Sequence, residues 1–312
     1  MKSLLGKKKV GGLTKKGKLF CIVGLAIPVI HFLFFTILSN GGTILLAFQD
    51  FDMDKGDFVW VGLANFEKIP RILTAPENEL GISLRNSLLF FVANNFVILP
   101  LSLFCSILCY KRMPGGNFFR IIFFLPSVIS PVIVAMVFNF AFDSSFGFIN
   151  DIVEAMGLGK YIPIEGWLAS DKTAMPLLMF YCVWIGIGGS IIVFTGAISR
   201  IPEELIELER LYGLGIVKST FYVTLPLIGS TVSIIFLQGL GVILGYYIGP
   251  LLITNGAGNT ATLGLYLINL VQGSRTNYGF AATITITSAL IMAPIVIGCK
   301  ILISKVFPEY EY

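Results

Sequence analysis

The sequence predicts an all-α polytopic membrane protein with six transmembrane helices, both termini inside, and a helical hairpin on the inner face between spans four and five. Three observations carry this. First, 55% of the 312 residues are hydrophobic and only 13% are charged, whereas a soluble domain carries about 25% charged residues. Second, apolar runs of roughly 20 residues recur, each long enough to cross a hydrocarbon core of about 30 Å. Third, 15 of the 22 Lys and Arg fall in or beside the alternate segments that six spans would leave inside, as the positive-inside rule requires.

Residues 1–18 hold seven lysines and no acid, which reads as a basic inner tail. Gly12 to Lys18 imitates a phosphate-binding loop, but Leu19 stands where Ser or Thr is needed and no strand precedes it. A tail at the membrane surface is the better reading. The first span is expected over 19–39. It contains His31, which reads as a neutral, hydrogen-bonded side chain because no span offers it an acidic partner. The apolar run is too long for a signal peptide and lacks a small-residue cleavage site. Residues 40–85 form an outer segment whose aromatic patch, Phe58 to Phe66, suits the membrane interface.

Span two is placed at 86–109, with Asn94-Asn95 inside it and Pro100 bending it. Span three is placed at 119–141, where Pro126 and Pro131 predict a bent or broken helix. Residues 142–173 are outer. Span four covers 174–198, and its Gly186, Gly188 and Gly189 allow close helix approach or leave backbone open to a path. Span five, 225–252, is interrupted by Gly239, Gly241, Gly245, Gly249 and Pro250. Such breaks are tolerated where they line a cavity or pack on protein. Thr254 to Asn259 is turn chemistry, and span six covers 280–303. The chain therefore divides into a basic tail (1–18), a first helix with its outer segment (19–81), a five-span core (82–304) and a short tail (305–312).

Ser199 to Ile228 is the only long polar interval that reads as two short helices joined by a tight turn. Pro202 suits a first helical position. Glu203 and Glu204 open the helix and Arg210 closes it, as the helix dipole favours. Ile201, Leu205, Leu208 and Tyr212 give one apolar stripe, with Glu203, Glu204 and Glu207 off it. Gly213 is the stop and Gly215 loosens the next step. An acidic hairpin pinned on both sides by membrane sequence is shaped to be held by a partner.

The charges bound the chemistry. None of the 18 Asp and Glu lies inside a proposed span, so a self-contained proton- or ion-coupled carrier lacks its usual groups. A membrane enzyme lacks a HExxH motif, paired intramembrane aspartates and a nucleophile with a base beside it. The net charge of +4 sits mainly in one tail and is no signal for nucleic acid. The five cysteines lie in apolar segments without metal-ligand company and read as small packing residues. A path lined by aromatic, amide and hydroxyl groups suits a neutral, hydroxyl-rich solute.

Ile201-Pro-Glu-Glu-Leu205-x-Glu207, Gly213 and Leu225-Pro226 resemble the EAA loop of permease subunits of binding-protein-dependent ABC importers. Trp60-Val-Gly62-Leu-x-Asn65-Phe66, Phe124-Leu-Pro126 with Ile129-Ser-Pro131, Phe146-Gly-Phe-Ile-Asn150, Thr254 to Thr260 and Tyr278-Gly-Phe-Ala-Ala282 resemble its carbohydrate-uptake branch. The resemblance runs in order over roughly residues 20–305. It implies a prokaryotic plasma-membrane subunit that works with a second permease, two ATPase subunits and an external solute-binding protein. ATP and Mg would sit on the ATPase, with no cofactor in this chain. It implies that the hairpin is a coupling helix, with Glu207 the signature glutamate and Gly213 the signature glycine. Leu208, Glu209 and Tyr212 depart from the family pattern. It further implies a solute path near Trp184, Gly186, Gly245, Tyr246 and Tyr247. The expected cargo is an oligosaccharide or glycoside, the alternative glycerol phosphate or another polar solute.

Overall fold

The computed structural model describes residues 15–52, 55–76, 78–110, 116–273 and 276–306. The tail at 1–14, with most of the phosphate-loop lookalike, the turn at 111–115 and the tail at 307–312 lie outside the described residues, as do the side chains of Arg120 and Arg210. Among the described residues, four helices are long and apolar enough to cross a membrane, and two bent helix pairs bring the number to as many as six.

Helix α1 (Lys15–Ala47) outruns the expected 19–39 at both ends. His31 lies exposed on it, and its ring packs on Phe35 with centroids 4.4 Å apart. The expected hydrogen bond is not among those of the described residues. Next come two antiparallel strands, β1 (Gln49–Asp52) and β2 (Asp57–Trp60), and helix α2 (Ala64–Leu73). This small cap is latched by Asn65, fully buried, whose Nδ2 donates to the carbonyls of Gln49 at 2.8 Å and Ala47 at 3.3 Å. Phe48 stacks on Trp60 and packs on Phe66. The aromatic patch thus folds the cap together, while Trp60 keeps an outward face.

The second span begins seven residues earlier than expected. Helix α3 (Glu79–Ala93) is capped by Asn78, which accepts from Gly81 N at 2.7 Å. A π-helical turn, Asn94–Ile98, joins it to α4 (Leu99–Tyr110). There Leu99 N donates five residues back, to the Asn94 carbonyl. The wide turn just precedes Pro100, whose missing N–H would interrupt a regular ladder at this point.

Helices α5 (Gly116–Val128) and α6 (Pro131–Ala141) meet at 105°. Ser130, forced toward extended backbone by Pro131 (φ −52°, ψ 131°), makes the corner. This bears out the expected break. A short helix, α7 (Phe148–Ala155), and a 3-10 turn, Gly159–Tyr161, lie in the next loop. Helix α8 (Ala174–Ile198) matches the expected fourth span residue for residue.

Helix α8 packs closely on two neighbours, α4 and α5. Ser102 Oγ donates to the Ile98 carbonyl at 2.6 Å and lies 3.3 Å from the Ile187 carbonyl; Ser106 Oγ lies 3.1 Å from the Ile191 carbonyl. On its other side, a Cβ on Gly188 would strike the carbonyl oxygen of Phe123 and come within 2.9 Å of Ser127 Oγ. Small residues therefore set the approach to both α4 and α5.

After the hairpin come α9 (Glu203–Leu211), α10 (Ile216–Ser219), a π-helical turn at Thr220–Thr224 and α11 (Leu225–Leu227). Span five then runs through α12 (Gly229–Gly245) and α13 (Ile248–Ile253). It bends by 76° at Ile228 and breaks again at Tyr246-Tyr247. Helix α14 (Leu263–Gln272) has no counterpart in the sequence reading, and α15 (Tyr278–Val306) is the last span. The Thr254–Thr262 loop turns through positive φ at Asn255, Gly256, Gly258 and Asn259. Asn86 Nδ2 fastens it to α3 through the carbonyls of Asn259 (2.7 Å) and Ala261 (2.9 Å), and Leu263 N donates to Ser87 Oγ at 2.8 Å.

The backbone of Phe123 cannot yield as a side chain would. Gly188→Leu is therefore expected to lower stability by about 1–3 kcal/mol. Gly189→Ala, in open space, is expected to change it by less than about 0.5 kcal/mol. Thermal unfolding of the purified chain in detergent separates the two.

Candidate functional site

The hairpin grows out of the end of α8. Ile201 N donates to the Ile198 carbonyl at 3.1 Å, and Pro202 sits one residue ahead of α9. Ile201 is buried beside Ile107, Phe194, Ile198 and Ile228, with Leu205 and Ile206 packed on them. The hairpin is thus rooted in α4, α8 and the base of α12 by apolar contact. At the far end of α9, Leu214 N donates to the Glu209 carbonyl at 3.0 Å while Gly213 takes φ +63°. This left-handed stop is the role expected of Gly213. Gly215 is extended (φ −66°, ψ 162°) and opens α10. Space around both glycines is empty.

The predicted apolar stripe is corrected in its outer half. Ile201 and Leu205 face inward, but Leu208 is 46% exposed and Tyr212 79%. Ile206 and Glu209 take the inward positions instead. Glu209 accepts from Ser219 Oγ at 2.5 Å, with Ser219 fully buried. This bond ties α9 to α10 across the turn. Glu203, Glu204 and Glu207 are exposed, as expected. Beside them Leu211, Tyr212 and Val217 are open to solvent. An acidic rim around exposed apolar side chains is the composition of a contact surface. The sequence reading missed Leu211, Val217 and Glu209. Their faces depend on where the two short helices cross, which periodicity does not fix. A cavity of about 750 Å³ lies where the hairpin meets the bundle, lined by Ile107, Tyr110, Ile201, Ile206 and the two carboxylates Glu203 and Glu209.

The five residues expected to line a solute path divide into two groups. Gly186 lies against Ile98, whose Cδ1 would be 2.7 Å from a Cβ there. Tyr246 packs on Phe90 at 4.8 Å between ring centroids and beside Tyr181 and Cys182, with its hydroxyl over Gly249. Its carbonyl accepts from Thr262 Oγ1 at 2.5 Å. Trp184 and Tyr247 are partly exposed, and Gly245 faces open space. In the π-helical turn, both amide atoms of Asn95 are buried without a partner, close against Gly239.

Comparison with known proteins places this arrangement. The chain is 26% identical to the diacetylchitobiose uptake system permease protein NgcF of Streptomyces coelicolor, over 90% of this chain and 83% of that one. It is 27% identical to the arabinooligosaccharides transport system permease protein AraP of Halalkalibacterium halodurans, over 85% and 81%. Its fold matches a chain of a crystal structure of a bacterial ABC transporter that imports the acidic polysaccharide alginate, with a TM-score of 0.76 and 21% identity. That match covers 93% of this chain and 97% of the other. Residues 98–308 match a protein family throughout, and the chain belongs to it: the binding-protein-dependent transport system inner membrane components.

Proposed function

We propose that this chain is the membrane-spanning permease of an ATP-driven importer for a sugar, an oligosaccharide or glycoside. An external solute-binding protein delivers the sugar. The reading rests above all on the hairpin: an acidic and apolar surface left open at its tip and rooted in the span ends at its base. Family membership and the saccharide systems among the relatives support it. Glycerol phosphate is the poorer cargo, since a phosphate calls for Arg or Lys in the path and none lies deep in a span.

In this reading both termini lie inside a prokaryotic plasma membrane, a second permease completes the pathway, and two ATPase subunits carry ATP and Mg. The hairpin sits in a cleft of one ATPase, with Glu203, Glu204 and Glu207 toward its walls and the charge of Arg210 at the end of the same helix. Closure of the ATPase pair moves the hairpin as a lever. Its apolar root passes the motion to α4, α8 and α12, and the bundle rocks from inward-open to outward-open. The cargo then moves past Trp184, Gly245 and Tyr247, while Gly186 and Tyr246 hold the packing at Ile98 and Phe90. Coupling depends on a stiff lever, which gives the Glu209–Ser219 bond a positioning role.

Purification of the chain from its native membrane in mild detergent is expected to bring down an ATPase and a second permease. A chain that purifies alone and transports in liposomes without ATP would sink the reading. Gly213→Trp puts a bulky residue at φ +63°, a conformation that costs an L residue about 1–2 kcal/mol. It is expected to leave the spans folded and ATP hydrolysis running while sugar uptake falls at least tenfold. Glu209→Ala removes the bond to Ser219 and is expected to lower the sugar moved per ATP, at about 1–3 kcal/mol of stability. Glu209→Gln keeps an acceptor and is expected to restore most of that ratio.

A further inference from the structure

A second cleft, of about 350 Å³, lies at the end of the bundle opposite the hairpin, between the first turns of α3, the Thr254–Thr262 loop and α14. Its size falls at the small end of ligand pockets, about 300–1,000 Å³. Along the α3–α4 axis it stands on the order of 40 Å from the hairpin cavity, at 1.5 Å per residue. Six polar residues line it: Glu79, Ser83, Asn255, Asn259, Tyr266 and Asn269.

One observation in its lining marks it as unfinished, and a second lies one helical turn away. Ser83 is 1% exposed and its Oγ has no partner, not even a carbonyl of its own helix, although helical serines commonly bond there. One turn on, Asn86 spends its Nδ2 on the Thr254–Thr262 loop and leaves its buried Oδ1 without a partner. Buried polar atoms without partners are few in folded proteins, and each needs an explanation. The electrostatics have one sign. Glu79 opens α3, where the helix dipole favours its charge. Among the described residues, none that lines the cleft is a cation. Tyr266 faces it: burial, and then the charge of Glu79, push its phenol pKa up. The phenol stays protonated at neutral pH and can donate.

We propose that this cleft binds one neutral sugar ring at the end of an arriving saccharide and turns acidic sugars away. The proposal rests on the importer reading and adds to it the class of cargo. Ring hydroxyls supply the donors and acceptors that Ser83 and the amides of Asn255 and Asn269 can use. The Tyr266 ring offers an apolar face to the C–H side of a pyranose. The Glu79 carboxylate can accept from two adjacent hydroxyls. A uronic acid would bring a second carboxylate against Glu79, with no cation among the described lining residues to screen it.

Saturation-transfer NMR on the full chain, purified with its accompanying subunits, tests this with cellobiose and diacetylchitobiose as neutral probes and digalacturonate as the acidic one. The native chain is expected to transfer saturation to both neutral disaccharides and not to digalacturonate at neutral pH. Tyr266→Ala and Ser83→Val are expected to weaken neutral binding at least tenfold. Glu79→Gln is expected to admit digalacturonate, a gain that misfolding cannot mimic. Absence of transfer to the neutral probes, equal transfer to digalacturonate, or signals untouched by the variants would overturn the proposal. So would variants that lose only a purified solute-binding protein, which would make the cleft a protein-docking site. ATP-driven sugar uptake without binding in the cleft would overturn this inference alone; loss of ATP-driven uptake itself would overturn the importer reading.

Discussion

The close approach of α8 to α4 and α5 is the constraint on which the rest of this structure depends. Lipid tails are as apolar as leucine, so burial gives little reason for one span to touch another. What remains is packing at short range and hydrogen bonds across the gap. Ser102, Ser106 and Gly188 provide both, since none has a side chain long enough to hold the backbones apart. With α8 fixed between two neighbours, its final turn at Ile198 is fixed too. The hairpin that follows inherits its position from there. A bulky residue at Gly188 would therefore disturb more than local packing: it would displace the root of the lever.

The same economy explains where the spans break. A backbone carbonyl or N–H freed inside a membrane must find a partner within the protein. At Ser130 a proline forces the corner, and Tyr181 OH reaches the Pro131 carbonyl at 3.4 Å. At Tyr246 the helix stops and Thr262 Oγ1 takes the Tyr246 carbonyl. At Leu252 the donor is Asn139 Nδ2, 2.9 Å away on α6. Each break is repaired by a hydroxyl or amide from a different element. The polar side chains of the spans are thus spent largely on the backbone, which leaves few to meet a solute.

Much of this was legible in the sequence, for reasons that can be traced residue by residue. Proline acts through its own ring, so Pro131 announced the corner of the third span and Gly213 the stop of the hairpin. Helix α8 was read to the residue because polar loops flank it on both sides. Helix α14 was missed because its ten residues are too few for a span. The burial of Glu209 was illegible for a different reason. A glutamate on an acidic helix reads as solvated, and only the crossing of α9 and α10 places Ser219 against it. Asn65 and Asn86 belong with it, since their partners lie 16 and 173 residues away.

The two ends of the bundle are built from unlike materials, and the difference bears on direction. At the hairpin end the carboxylates Glu203, Glu204 and Glu207 stand exposed among large apolar side chains, a surface suited to being gripped. At the other end the polar groups are neutral for the most part and line a cleft, with the buried Ser83 hydroxyl unmet. A grip wants charge and area. A mouth for a hydroxyl-rich solute wants many weak, replaceable hydrogen bonds, strong enough to orient and weak enough to release. Between them run α3 and α4, joined by a π-helical turn with the unpartnered amide of Asn95 at its centre. A wide turn holds fewer optimal backbone bonds than a regular one. If motion at the hairpin is to reach the cleft, this turn is where the connecting helix costs least to deform. A Cβ on Gly239 would strike the Asn95 amide, so this glycine is what lets the facing helix close on the turn.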